Sequence, residues 1–177
     1  MKLHYQTVSP VLVDCLHKLM AHPAFKDFYL VGGTSLALQR GHRLSIDIDL
    51  FTCVPYGEMK TTEIEAALLE IFPYTDRIEE LHNSQMVYSM YVGDSKEDCV
   101  KLDLCYDDDL IFPLIEVDGL RMASEKEIAA MKIQAITPVG GGNHLRLTLT
   151  RDGCSINCMK FSTTELQFPY KVGDTVD

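Results

Sequence analysis

Hydrophobic and polar positions are most regularly ordered between Phe28 and Phe51, in FYLVGGTSLALQRGHRLSIDIDLF. The pattern predicts a buried strand over Phe28–Val31, a double-glycine turn, a short helix closed by Gly41 and a second strand over Leu44–Phe51. Successive strand side chains point to opposite faces, so Ser45, Asp47 and Asp49 are expected on one face. Leu44, Ile46, Ile48 and Leu50 would then form the core face. Upstream, Val11, Leu12, Cys15, Leu16, Leu19 and Met20 recur at helical spacing over Pro10–Met20, and Pro23 ends that helix. His17 and His22 lie on or near it and read as surface residues.

Downstream, Gly57–Phe72 reads as an amphipathic helix with Ile64, Ala67, Leu68 and Ile71 on one stripe. Strands are predicted over Arg77–His82, Gln85–Val92 and Cys99–Tyr106, the last two joined by a polar GDSKED turn. Pro113–Met122 reads as strand, turn and strand around Asp118-Gly119. Ser124-Glu125-Lys126-Glu127 has the form of a capping box opening a helix, whose buried stripe is Ile128, Met131, Ala135 and Ile136. From Thr137 the character changes. Leu145, Leu147 and Leu149 alternate with Arg146, Thr148 and Thr150, and an Asp152-Gly153 turn predicts a β-hairpin.

Composition narrows the class of protein. The 177 residues are 46% apolar and 24% charged, enough for one well-buried domain with a small appendage. No run of about 18 apolar residues is present, and MKLHYQTVSP lacks the apolar core of a signal peptide, so a cytoplasmic protein without a membrane span is expected. Six cysteines without a repeated C-x-x-C spacing point to reduced thiols rather than zinc or a disulfide framework. A formal net charge of −10 argues against broad nucleic-acid binding and is compatible with an enzyme handling nucleotides through bound metal.

The candidate chemistry starts at Asp47 and Asp49. Two carboxylates side by side repel unless a positive charge lies between them, and hard oxygen ligands suit magnesium or manganese. Gly32 and Gly33 can let a phosphate approach the main chain, and Thr34 and Ser35 begin a helix whose free N–H groups favour an anion. A G-G-T-S turn alone is weak evidence. Asp103, flanked by apolar residues with Lys101 on its face, reads equally as an exposed sheet residue or a functional one. Asp107-Asp108-Asp109 reads as a solvated loop. Lys132 falls in the middle of an apolar stripe, where it either snorkels outward or reaches a partner in a cleft.

The glycine pair, short helix and D-x-D strand resemble the polymerase-β-like nucleotidyltransferase superfamily. In its combination of G-G-T, H-R and S-x-D-x-D-L-F the chain resembles AbiEii/AbiGii-type toxin nucleotidyltransferases, which include the MenT-type toxins. The resemblance covers about residues 1–137 and implies an α+β fold, a mixed sheet with flanking helices. It implies that Asp47, Asp49 and Asp103 bind Mg2+ or Mn2+, and that Gly32, Gly33, Thr34 and Ser35 hold the phosphates of a nucleoside triphosphate. Arg43 would be a phosphate clamp, and Ser45 sits where some relatives carry a modifiable serine. IAAMKIQAI resembles the family's lysine helix, which assigns Lys132 to the incoming nucleotide. The implied activity transfers a nucleoside monophosphate to a hydroxyl of RNA, tRNA in particular, or of a protein, in a toxin opposed by an antitoxin.

The pattern departs from the family beyond Lys132, where a K-D-x-x-D aspartate is expected and none is found. Residues 138–177 instead resemble, in PVGGGNHLRLTL, the D-G turn and VGDTVD, a fragment of the oligonucleotide-binding-type C-terminal domain of RecJ-type exonucleases. Gly140–Gly142 reads as a linker. Two domains are thus expected, 1–137 and 138–177, and two functions: an active nucleotidyltransferase, or a catalytically impaired relative that binds nucleotide or a partner. A single-strand-binding role for the tail, through Arg146, Arg151, Lys160 and Lys171, is a third and weaker reading.

Overall fold

The structure, a computed structural model, describes residues 1–78, 87–107, 109–136, 145–150 and 153–158. The chain divides into two compact units, Met1–Ile128 and Ala129–Asp177. In the first, the helix α1 (Pro10–Ala21) is fixed at its start by Ser9, whose hydroxyl accepts from the Leu12 N–H at 3.2 Å, with Pro10 at the first helical position. It buries Leu12, Cys15, Leu16, Leu19 and Met20, and the extended backbone of His22 ends it before Pro23. The strand β1 (Tyr29–Leu30) is only two residues long and runs into α2 (Gly32–Arg40), which begins at the glycines themselves and closes on Gly41 at φ 68°. There follow β2 (Asp47–Thr52), α3 (Thr61–Ile71), β3 (Tyr74–Arg77), β4 (Val87–Gly93), β5 (Cys99–Tyr106), β6 (Ile115–Val117), β7 (Leu120–Met122) and α4 (Glu125–Ile136).

The strands form one mixed sheet in the order β3-β4-β5-β2-β1-β7-β6. β2 is parallel to β5 and β1 is parallel to β7, whereas β1–β2, β3–β4, β4–β5 and β6–β7 are antiparallel. This is the α+β, mixed-sheet architecture expected. One sheet face carries Ile48, Leu50, Leu102, Leu104, Met90 and Val92 into a single apolar cluster with the α1 and α3 stripes. In the second unit β8 (Leu145–Thr150) pairs antiparallel with β9 (Gly153–Cys158), as the alternation predicted. The glycine run and VGDTVD lie outside the described residues.

Several boundaries differ from the sequence pattern. β2 starts at Asp47, and Leu44 and Ile46 are 72% and 73% exposed rather than in the core. The reason is a local inversion. The Ser45 N–H donates to the Thr7 carbonyl at 2.9 Å and its hydroxyl is buried against Thr34, which turns its two apolar neighbours outward. Ile46 and Asp47 are then both exposed, and the alternation resumes one residue out of phase. α3 begins four residues later than predicted, and β3 occupies Tyr74–Arg77, overlapping the predicted Arg77–His82 only at its end. Residues 79–86 lie outside the described residues.

Two charged side chains hold the frame. Glu127 was expected to close a capping box. Its own N–H does donate to Ser124 Oγ at 3.2 Å, but its buried carboxylate reaches across to accept the N–H groups of Ile111 (3.3 Å) and Phe112 (2.7 Å). Arg121, on β7, spends its guanidinium on three main-chain carbonyls: Phe28 at 3.1 Å, Met20 at 3.2 Å and Phe25 at 2.8 Å. It thereby joins the end of α1, the turn after it and the entry to β1.

Arg121→Met should lower the unfolding free energy by about 2–4 kcal/mol in urea titration, because three charge-assisted bonds are lost, although the Phe25 carbonyl keeps the Phe28 N–H. Arg121→Lys should recover only a minor part, since one ammonium cannot span the three acceptors. A loss within experimental error of zero would show that the carbonyls find other partners.

Candidate functional site

The acidic face is a consequence of strand register. β2 and β5 pair in parallel with Asp49 opposite Asp103 and Asp47 opposite Lys101, and β5 pairs with β4 so that Ser89 lies opposite Asp103. Cross-strand partners share a face. With Ile48, Leu50, Leu102 and Leu104 fully buried on the other side, the three aspartates must emerge together on this one. Asp47 is exposed, whereas Asp49 and Asp103 are half-buried.

Asp103 is engaged at both oxygens. Lys101 Nζ lies 2.5 Å from Oδ2, and Ser89 Oγ donates to Oδ1 at 2.5 Å. Burial pulls the Lys101 pKa down, but the hydrogen bond to Asp103 and the negative fields of Asp103, Asp47 and Asp49 outweigh it, so the net shift is upward. Cys105, one residue pair further along β5, is pushed up to about 12, first by burial and then by the fields of Asp103 and Asp49. A thiol so placed stays protonated and unreactive.

The glycine turn packs against this face. Gly32 has φ 67°, and a Cβ there would lie 2.2 Å from Asp49 Oδ2. A Cβ at Gly33 would lie 2.1 Å from Arg43 Nη2 and 3.3 Å from Ser45 Oγ. Gly32 is therefore favoured twice over, by its left-handed backbone and by the Asp49 carboxylate beside it, whereas the exposed Arg43 guanidinium over Gly33 could swing aside. Val31, the residue before the helix, offers no side-chain cap. The first N–H groups of α2 lack intrahelical partners by construction.

Thr34 and Ser35 turn their side chains into the protein. Both are fully buried. Thr34 Oγ1 bridges Ser45 Oγ at 2.8 Å and the Asp47 carbonyl. Ser35 Oγ lies 3.3 Å from the Ala123 carbonyl and accepts from Gln39 Nε2 at 2.9 Å, which also bonds that carbonyl at 2.9 Å. These hydroxyls brace α2 against the start of β2 and the end of β7. Any bond they offer to a phosphate rests with the main chain, and the Ser35 N–H already bonds Val31 at 3.3 Å. Arg43 is exposed, with its guanidinium over Gly33 and Nη1 3.3 Å from the Leu44 carbonyl.

Asp47, Asp49, Asp103, Gly32, Gly33, Arg43 and Ser45 are thus gathered in the first unit. Lys132 lies half-buried on α4 within the second unit. Asp107 is more than a solvated loop residue, since the Tyr29 hydroxyl donates to it at 2.8 Å. Ser89 and Gln39 were missed. Ser89 lies on the polar side of an alternating strand, but only the pairing with β5 gives it a partner. A divalent cation would suit three carboxylates by donor chemistry. Among the described residues, however, no three acidic, histidine or cysteine groups converge on one ion position. The clefts lined by Lys26, Asp27, Phe28 and Val54 include none of the three aspartates.

Comparison with known proteins identifies a family. The family model for the "Nucleotidyl transferase AbiEii toxin, Type IV TA system" matches residues 14–152. An uncharacterized protein of Aquifex aeolicus (strain VF5) is 29% identical over 133 residues, covering 72% of this chain and 58% of the relative. Among solved structures, a candidate nucleotidyltransferase from H. pylori aligns with TM-score 0.49 at 18% identity, covering 70% of this chain and 55% of that one. Another candidate nucleotidyltransferase, from Thermotoga maritima, aligns with TM-score 0.43 at 18% identity, covering 75% and 92%. The chain spans just over half the length of the Aquifex and H. pylori proteins.

The packing of Gly32 can be tested against Gly57, which also has a positive φ (87°) but nothing within 4 Å of an added Cβ. Gly57→Ala should cost about 1 kcal/mol, the left-handed backbone penalty alone. Gly32→Ala should cost at least about 2 kcal/mol more, because the methyl overlaps the Asp49 carboxylate. Equal losses in chemical denaturation would mean that Asp49 yields freely.

Proposed function

The chain belongs to the nucleotidyl transferase AbiEii toxin family of type IV toxin–antitoxin systems, and we propose that it transfers a nucleoside monophosphate from a nucleoside triphosphate to a hydroxyl of RNA, tRNA in particular, or of a protein. The observation that carries this reading is the register of β2 on β5. It aligns Asp49 with Asp103, next to Asp47, beside the uncapped start of α2. In the transfer, the acceptor oxygen forms a bond to the α-phosphorus as the bond to the pyrophosphate oxygen breaks, and the acceptor proton goes to a base. A carboxylate of this face is the available base.

Each group then has a role. Asp47, Asp49 and Asp103 do not converge on one ion position as they stand, and drawn together they would supply the carboxylates for Mg2+ or Mn2+, which when bound would neutralise charge on the triphosphate and the leaving pyrophosphate. The N–H groups of Gly32, Gly33 and Thr34 are aimed by the helix start to receive phosphate oxygens. Arg43 strengthens that role. A guanidinium at the positive end of a helix is repelled by the dipole, and an anion between the two relieves both. Ser45 is held by Thr34 under this turn and steadies it. The family points to an antitoxin as partner. No helix among the described residues is long and apolar enough to cross a membrane, and action on tRNA would place the protein in the cytoplasm.

A second reading is that the chain binds nucleotide or a partner without turnover. The engagement of both Asp103 oxygens favours it. One assay separates the two readings: full-length protein with tRNA, Mg2+ and each α-labelled nucleoside triphosphate. Label should pass to RNA or protein with release of pyrophosphate, and Asp47→Asn should slow this at least about a hundredfold, the scale of several kcal/mol of lost charge stabilisation. Nucleotide binding in calorimetry with no pyrophosphate formed would establish the second reading instead.

A further inference from the structure

Lys101 is the charged residue of the acidic face to which the proposed reaction gives no role. Its register partner is Asp47, and its ammonium lies 2.5 Å from Asp103 Oδ2. A unit positive charge already occupies the oxygen that a divalent ion would need. The two partners of Asp103 differ in freedom. Ser89 is buried and donates from a single-carbon arm fixed by β4. Lys101 extends a four-carbon stem from β5, and its side chain is 31% exposed while that of Asp103 is 16% exposed. One holds the carboxylate in a fixed orientation, and the other can leave.

We infer that Lys101 is a tethered counter-ion that competes with the divalent cation for Asp103 Oδ2, while Ser89 keeps the carboxylate aimed. The inference rests on the metal reading given under the proposed function. In the metal-free protein the ammonium offsets the mutual repulsion of Asp47, Asp49 and Asp103, three like charges on adjacent strands. A divalent ion held by the same carboxylates would supply twice the charge, leaving the Lys101 ammonium free to turn outward into solvent. Lys101 is thus a positioning residue. It holds the strand pair together in the absence of metal and sets the metal concentration at which the third carboxylate becomes a ligand.

The test measures Mn2+ binding to the full chain by calorimetry and electron paramagnetic resonance, with thermal unfolding in parallel. Lys101→Met should bind Mn2+ at least about tenfold more tightly than the wild type, since removing a unit charge within contact distance of the ligand changes the Coulomb energy substantially. It should also melt lower than wild type without metal and gain more from saturating Mn2+. Lys101→Arg keeps the charge and should stay within about threefold of wild-type affinity. Lys101→Met binding that is unchanged or weaker, while Asp47→Asn abolishes the wild-type site, overturns this inference and leaves the metal reading standing. No Mn2+ binding by wild type, Lys101→Met and Asp47→Asn alike overturns both.

Discussion

The parallel pairing of β2 with β5 is the constraint on which the site depends. Six consecutive residue pairs, from Asp47↔Lys101 to Thr52↔Tyr106, fix which side chains face the core and which face outward. Shifting one strand by a single residue would bury an aspartate and expose a leucine, and the apolar cluster around Ile48, Leu50, Leu102 and Leu104 forbids that. The acidic face is therefore held in place by hydrophobic burial on the opposite side of the same strands. Repulsion among its carboxylates is tolerated because the core leaves them nowhere else to go.

The second requirement is that α2 start close to that face. Its helical moment does not achieve this, since most of its residues are buried in one way or another. Polar braces do. Thr34 ties the first turn to Ser45 and Asp47, and Gln39 with Ser35 ties the middle to Ala123. A buried hydroxyl or amide without a partner would be costly, so these bonds select one position for the helix among those that hydrophobic contact alone would permit. The double glycine then brings its main chain into direct contact with Asp49 and with the Arg43 guanidinium. Arg121 and Glu127 do the same for the surrounding loops, each satisfying main-chain groups that no strand or helix pairs.

The charge balance of the face follows from the same geometry. A chain of net charge −10 has placed three acidic groups together and set one lysine among them. The Lys101 ammonium, 2.5 Å from Asp103 Oδ2, offsets part of the repulsion among them. Under the metal reading proposed above, stability without metal and affinity for metal would pull against each other at Asp103, with Lys101 setting the balance.

Much of this was legible in the sequence. The glycine turn, the D-x-D strand, Asp103 and the C-terminal hairpin are local patterns, each readable from periodicity and turn chemistry or from family resemblance. The sequence erred where a buried polar contact overrode the pattern. Leu44 and Ile46 fit the core face by alternation, yet Ser45 is the residue drawn inward, because Thr7 and Thr34 satisfy it. Thr34 and Ser35 open a helix, and the partners of their hydroxyls lie 11 and 88 residues away, at Ser45 and Ala123. By itself, then, the sequence determined which chemical groups are available and on which local elements they sit, since these follow from backbone periodicity. The tertiary structure decided which hydroxyls are braces, why Gly32 lies against Asp49, and that Lys101 and Ser89 share Asp103. Those outcomes depend on strand order and register, and the long-range burial that fixes them leaves no mark on neighbouring residues in the chain.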